Sequence, residues 1–390
     1  MHDAKEARTR LAHARRIVVK IGSRVLVQRT GRPDVRRMRE LVRQIAGLHK
    51  AGRDVVVVSS GAIGSGIEAL GWRKRPTSLK LLQMAAAVGQ SRLMARYDEL
   101  FGAHDIRIGQ LLLTHEDLRH RTRHLNAHET MQTLLEHRVV PIVNENDVVA
   151  VDEIKFGDND LLAALTALLV QADALVLLTT VDGFRAPVTA GRTRRVPVLA
   201  GVSEKELSMA LGKGSQLSTG GMASKLQSAG MVAENGIPVV IANGRSDGVL
   251  ERLIRGEDVG TIILPSSDPN PLSRRERWIA LFHRPKGSLV VDDGAREAVE
   301  TRGKSLLPVG IRAVEGNFDA GAVVNLKAGD GSIFGRGLSN FSSTEIRLMK
   351  GKRSDELEAV LGASESPVVV HRDNMVFRKK EAPATVGAGN

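Results

Sequence analysis

Thr219-Gly220-Gly221-Met222-Ala223-Ser224-Lys225 is the stretch on which the reading of this chain turns. Two adjacent glycines let the backbone come close to a ligand. The residues that follow carry apolar side chains at helical spacing, which predicts a helix over 225–235. A glycine turn opening a helix presents backbone N–H groups and the positive end of the helix dipole, a site suited to phosphate. Lys225 sets a cation against that dipole, which points to an anion between them. An ordinary helix start with a solvated lysine is the plain alternative, and the motif alone does not separate the two.

Outward from this turn, strand and helix alternate. Ile17-Val18-Val19-Lys20-Ile21 reads as a strand, and Asp54-Val55-Val56-Val57-Val58-Ser59-Ser60 as a β-branched strand buried on both faces. Further strands are expected at 106–113, 139–143, 174–179, 238–242 and 261–264. Helices are expected at 34–51, 79–101, 123–138, 159–171, 225–235 and 248–255. This alternation predicts an α/β fold, an open and mainly parallel sheet sandwiched by helices. Ligands of such sheets bind beyond the carboxyl ends of the strands. The polar clusters fall there. Lys20 closes the first strand and Ser59-Ser60-Gly61-Ala62 the second. Asn144-Glu145-Asn146-Asp147 follows a third, and Gly157-Asp158-Asn159-Asp160 precedes a Leu- and Ala-rich helix of which one of its acidic or amide residues should be the N-cap. A snorkelling lysine, a tight turn or a cap accounts for each singly; their shared position at element ends asks for more.

Past residue 265 the pattern changes. Pro265-Ser266-Ser267-Asp268-Pro269-Asn270-Pro271 is a proline-rich break. Short strands are expected beyond it at 278–282, 288–291, 321–326 and 332–338, with short helices at 295–301 and 343–348. They describe a second, small, mostly-β domain. The final residues are charged and then rich in Pro, Ala and Gly, the composition of a disordered tail.

Composition narrows the chemistry. Aromatics make up only 3% of the 390 residues, so the cores must rest on Leu, Val, Ile and Ala. The absence of cysteine excludes disulfides, thiolate metal sites and cysteine nucleophiles. No run has the apolar length of a membrane span, and the polar start has no signal-peptide core, so a cytoplasmic location is expected. A net charge of +12 favours anionic partners, nucleotides or nucleic acid, although the basic residues are dispersed along the chain. Gly303-Lys304-Ser305 has the ending of a P-loop, but Ala298 stands where its first glycine belongs. His120, His124 and His128 would line one face of a helix. Arg119, Arg121 and Arg123 disfavour a metal cation there, and a solvated or intersubunit polar face is expected instead.

Taken together, Lys20-Ile21-Gly22-Ser23, Ser59-Ser60-Gly61-Ala62, Asn144-Glu145-Asn146-Asp147, Gly157-Asp158-Asn159-Asp160 and the turn 219–225 resemble the amino acid kinase superfamily. Within it the likeness is to the branch that phosphorylates glutamate. Ala85-Ala86-Ala87-Val88-Gly89-Gln90-Ser91 and Gly109-Gln110-Leu111-Leu112-Leu113-Thr114 are similar to the same branch. The segment 277–351 resembles a PUA domain, which many bacterial members of that branch carry. The resemblance implies a basic N-terminal extension over 1–14, an amino acid kinase domain over 15–265, a linker over 266–276, a PUA domain over 277–375 and a disordered tail over 376–390.

The activity it implies is ATP-dependent phosphorylation of the side-chain carboxylate of L-glutamate, the first step of proline biosynthesis, with Mg²⁺ carried by ATP. Lys20 and Lys225 would flank the transferring phosphoryl group, with Asp160 orienting both. Ser60, Asp147 and Asn159 would bind glutamate. Lys20, Thr179, Thr180 and the turn Thr219, Gly220, Gly221, Met222, Ala223, Ser224 and Lys225 would bind ATP. The family commonly has aspartate where this chain has Thr180; Asp182 lies two residues on. Inhibition by proline, a homodimer or homotetramer, and hand-off of the product to glutamyl phosphate reductase follow from the same resemblance. The alternatives are a sister kinase acting on aspartate, acetylglutamate or a uridylate, and an RNA-binding protein acting through its PUA domain.

Overall fold

The structure, a computed structural model, describes residues 2–28, 33–149, 159–189, 192–211, 221–266, 285–352 and 368–377. The chain divides into two units, Met1–Pro271 and Leu272–Asn390.

The first unit is built on strands β1 (Arg16–Ile21), β2 (Asp54–Val58), β3 (Ile108–Leu113), β4 (Val140–Glu145) and β5 (Ala174–Thr179). A hairpin follows, β6 (Arg185–Thr189) and β7 (Arg192–Arg195), then β8 (Val198–Leu199), β9 (Val239–Asn243) and β10 (Thr261–Ile263). All but the hairpin join one sheet in the order β3-β4-β2-β1-β5-β9-β10-β8. Its pairs are parallel except that β10 runs against β9. The central strands are buried because helices cover both faces, and their Val-, Ile- and Leu-rich runs are what such burial demands. From β1 the chain builds outward to β2 and β4 on one side, then returns to β5 on the other. That reversal makes a switch point between β1 and β5, where the carboxyl ends open a crevice.

The helix Val35–Lys50 turns Met38, Leu41, Val42 and Ile45 into the core, and Asp34 caps it by accepting from the Arg37 N–H. Helices Ala62–Ala69 and Leu79–Gly102 touch through glycine. A Cβ on Gly66 would lie 1.7 Å from the Ala85 carbonyl oxygen, and one on Gly89 1.8 Å from that of Ala62. The Ala85–Ser91 motif is thus first of all a close-packing surface. Thr114, closing the second family-like motif, caps the helix His115–Arg119 in a reciprocal pair with Asp117.

The N-terminal stretch forms the helix His2–His13, which buries Ala7 and Leu11 in the same core as β1 and β2. Its Arg8 donates to the Glu257 carbonyl at 2.8 Å and pairs with Asp258 at 2.5 Å. The hairpin β6–β7 was not expected from sequence: its strands are mostly exposed and Arg- and Thr-rich, with no apolar alternation to announce them.

The second unit is a five-stranded sheet of β11 (Gly287–Val291), β12 (Ile311–Glu315), β13 (Val323–Lys327), β14 (Ile333–Ser339) and β15 (Val370–Phe377), ordered β12-β11-β13-β14-β15. All its pairs are antiparallel except β11 with β13. Helices Asp293–Glu300 and Ser343–Met349 complete it over a core of Leu289, Leu326, Phe334 and Ile346. The strand expected at 278–282 lies outside the described residues. Val376 and Phe377, placed in the tail by sequence, pair with Arg336 and Gly335; residues 378–390 lie outside the described residues.

Candidate active site

Lys20 is the penultimate residue of β1, between Val58 of β2 and Leu177 of β5 in register. Its neighbours are apolar, so its ammonium needs a partner. Asp160, the first residue of the helix Asp160–Leu169, supplies one: Lys20 Nζ donates to Oδ1 at 2.5 Å. Lys225, in the first turns of the helix Met222–Glu234, donates to Oδ2 of the same carboxylate at 2.9 Å. The Ser224 hydroxyl stands 3.4 Å from that oxygen. Asp160 is wholly buried, and Lys20 and Lys225 are only 3% and 6% exposed. Two ammonium groups thus share one carboxylate in a site nearly closed to water. Burying such ions carries a desolvation cost that their pairing must offset, which makes the cluster a candidate functional site.

The preceding residue, Asn159, holds the N-cap position, but its side chain does not cap the helix. This bears out the expectation that an acidic or amide residue of 157–160 is the N-cap, although no side-chain capping bond from Asn159 accompanies it. The Asn159 amide instead donates to the Ser59 carbonyl at 2.5 Å and to Asn144 Oδ1 at 2.8 Å. Asn144 in turn donates to Gln90 Oε1 at 2.8 Å. Ser59 shares a hydrogen bond of 2.8 Å with the Tyr97 hydroxyl, and burial pushes that phenol up to about 12. This relay ties the ends of β2 and β4 to the helix that carries Asp160.

Alongside it lies a cavity of about 770 Å³ whose wall includes Ser60, Gly61, Asn144, Asp147 and Asn159. Gly61 turns the chain into the helix Ala62–Ala69 at φ 111°, a left-handed conformation that favours glycine.

The expected site residues therefore fall into three groups. Lys20, Asp160, Ser224 and Lys225 are in direct contact, and Ser60, Asp147 and Asn159 line one cavity. Thr179 and Thr180 lie at the carboxyl end of β5, and no hydrogen bond among the described residues joins them to the turn 221–225. Asp182, the nearest acid to Thr180, is held by Arg185 through both oxygens, at 3.0 and 2.7 Å. Gly221 precedes the helix that Met222, Ala223 and Ser224 begin; Thr219 and Gly220 lie outside the described residues, as do Gly157 and Asp158.

Gln90 and Tyr97 were missed as site residues. Gln90 sits inside a family-like motif, and Tyr97 is the one tyrosine of the chain, a signal that was there to be read. The histidine row is not a solvated face throughout. His128 is buried with Nδ1 3.0 Å from the Leu169 carbonyl, and His124 Nδ1 is 3.0 Å from that of Leu118.

A buried lysine–aspartate–lysine cluster at the switch point of an α/β sheet makes a candidate phosphoryl-transfer site, and comparison with known proteins gives the class as a kinase. The amino acid kinase family matches residues 15–243, more than half of the chain, and the PUA domain family matches residues 287–361. The chain belongs to the amino acid kinase family. The glutamate 5-kinase of Pelobacter propionicus is 44% identical over 364 residues, covering 93% of this chain and 97% of that one. That of Geobacter sulfurreducens is 45% identical over 368 residues, covering 94% and 98%. Within the amino acid kinases, this chain belongs with the glutamate 5-kinases.

Proposed function

We propose that the enzyme transfers the γ-phosphoryl group of ATP to the side-chain carboxylate of L-glutamate, yielding L-glutamyl 5-phosphate and ADP for proline biosynthesis. The observation that carries this reading is the adjacency of Asn159 and Asp160: one lines the cavity and the other clamps both lysines.

In the transfer, a carboxylate oxygen of glutamate bonds to the γ-phosphorus as the bond to the β,γ-bridging oxygen breaks, and ADP leaves with that electron pair. The acceptor is already ionised at neutral pH, so no general base is required. What the protein must supply is position and positive charge on a phosphoryl group in flight. Lys20 and Lys225 are assigned to the transferring group, with Asp160 holding their ammonium groups through charge-assisted hydrogen bonds. Ser60, Asp147 and Asn159 are assigned to glutamate, with the Asp147 carboxylate facing its α-ammonium. The turn from Gly221 to Lys225, with Thr179 and Thr180, is assigned to the nucleotide. Mg²⁺ arrives on the phosphates of ATP; both oxygens of Asp160 are engaged by lysines, which suits it to orienting cations rather than to ligating a metal. Proline has the α-carboxylate and α-nitrogen of glutamate in a smaller body, and the family resemblance supports its role as an inhibitor at this cavity.

Trapping of the acyl phosphate with hydroxylamine tests the assignment. ATP-dependent hydroxamate should form with L-glutamate and not with aspartate or N-acetylglutamate. Preference for either of those acids would move the enzyme to a sister activity.

A further inference from the structure

The cavity that gathers Ser60, Asp147 and Asn159 has a second wall of different character. It carries Arg24, from the short helix Ser23–Leu26, and the consecutive cations Arg73, Lys74 and Arg75. These three lie between the helices Ala62–Ala69 and Leu79–Gly102. All four side chains are exposed, and none forms an ion pair with a described residue. Among the described residues, the acids on the cavity wall are Glu68 and Asp147, and Glu68 is taken up by Arg96 at 3.1 Å. With Asp147 assigned to an ammonium group, the described residues of the wall carry a surplus of positive charge. Basic residues that look dispersed along the sequence are here concentrated at one opening.

We infer that Arg73, Lys74 and Arg75, together with Arg24, form a cationic lip that draws the anionic acceptor into the cavity and favours an acceptor bearing an ionised α-carboxylate. The inference rests on glutamate being the acceptor. Glutamate carries net negative charge, and once its ammonium meets Asp147 and its side-chain carboxylate meets the phosphoryl donor, the α-carboxylate is the charge left for the lip. The lip acts by raising the equilibrium occupancy of the cavity and does not touch the reacting atoms. A unit charge about 8 Å from an anion across water changes its occupancy roughly twofold, so three such charges amount to about tenfold. Salt at about 1 M shortens the screening length to about 3 Å and removes most of the effect.

The test compares the full-length enzyme with the Arg73→Gln/Lys74→Gln/Arg75→Gln variant, with Arg73→Lys/Arg75→Lys as the conservative control. Steady-state rates are measured with L-glutamate and with its α-amide, which keeps the side-chain carboxylate but lacks the α-carboxylate, at low and high potassium chloride. At low salt the glutamine variant should raise KM for glutamate by about five- to tenfold. Its kcat and its KM for ATP should stay at wild-type values, which also reports an intact fold. The wild-type KM should climb toward the variant's as salt increases, and the preference for glutamate over the α-amide should narrow in the variant. The lysine control should retain the wild-type KM. An unchanged KM for glutamate overturns the lip, as does an equal rise for glutamate, the α-amide and ATP. If the wild type forms no hydroxamate from glutamate, the acceptor assignment itself falls, and the lip with it.

Discussion

The two units treat buried polarity in opposite ways. Among the described residues, the first unit buries Lys20, Asp160 and Lys225 together, and Arg8, His49, His128 and Glu145 elsewhere. The described residues of the second unit include no buried charged side chain; the buried polar ones among them are Ser288, Ser339, Ser343 and Asn374. The sheets explain the contrast. In the first, parallel strands send the ends of β1, β2, β4 and β5 to one edge, so side chains that follow or close them meet in one crevice. In the second, mostly antiparallel pairing sends successive strand ends to opposite edges, and no single edge collects them. The three charges buried together lie where the topology gathers the strand ends.

Substitutions in each unit put this contrast at risk, and their effects on turnover should descend in the following order. Lys225→Ala should lower kcat on the order of a hundred- to a thousandfold while changing KM far less, as expected for charge needed mainly in the transition state. A kcat near wild type would remove Lys225 from the chemistry. Asp160→Ala should also lower kcat, and because it strands two buried ammonium groups it should cost about 3 kcal/mol in urea unfolding. Loss of turnover with stability intact would mean that the lysines do not depend on it.

Asp147→Ala should act on binding, raising KM for glutamate about tenfold or more and leaving KM for ATP alone. A defect confined to ATP would place Asp147 in the wrong half of the site. Tyr97→Phe removes one hydrogen bond to Ser59 and should cost about 1 kcal/mol with a small change in rate. Its pH signature is distinctive. Burial raises the phenol to about 12, above its unfolded value of about 10, so its contribution is complete below pH 10 and lost as pH rises toward 12. The Phe variant should lack that part of the alkaline decline in denaturation curves. Smallest on turnover is Leu326→Ala in the second unit, which should destabilise its own core by about 2–5 kcal/mol and leave kcat unchanged. A large fall in kcat would show that the two units are not functionally separate.

Much of the fold was legible because burial writes itself into composition. The valine run of β2 and the aliphatic runs of β5 and β9 could be read without coordinates, as could the stripe of Met38, Leu41, Val42 and Ile45. The hairpin β6–β7 and the strand β15, whose interior holds His371, Arg372, Asp373 and Asn374, carry no such pattern. Their strands are held by backbone pairing, which any side chain permits. In the site, Lys20 stood out as a cation in an apolar strand. The N-cap position of Asn159 was legible too, but not that its side chain turns to the carbonyl of Ser59, just past β2.

By itself, the order of residues determined the class of fold, the polar clusters at its element ends and the absence of cysteine chemistry, since each is a local property of composition and spacing. Only the tertiary structure decided that Lys20 and Lys225, 140 and 65 positions from Asp160, share its two oxygens, and that Arg24 and Arg73–Arg75 border one cavity. Such meetings depend on the pairing order of β4, β2, β1 and β5 and on helices packing across them, and no local pattern records which distant elements become neighbours.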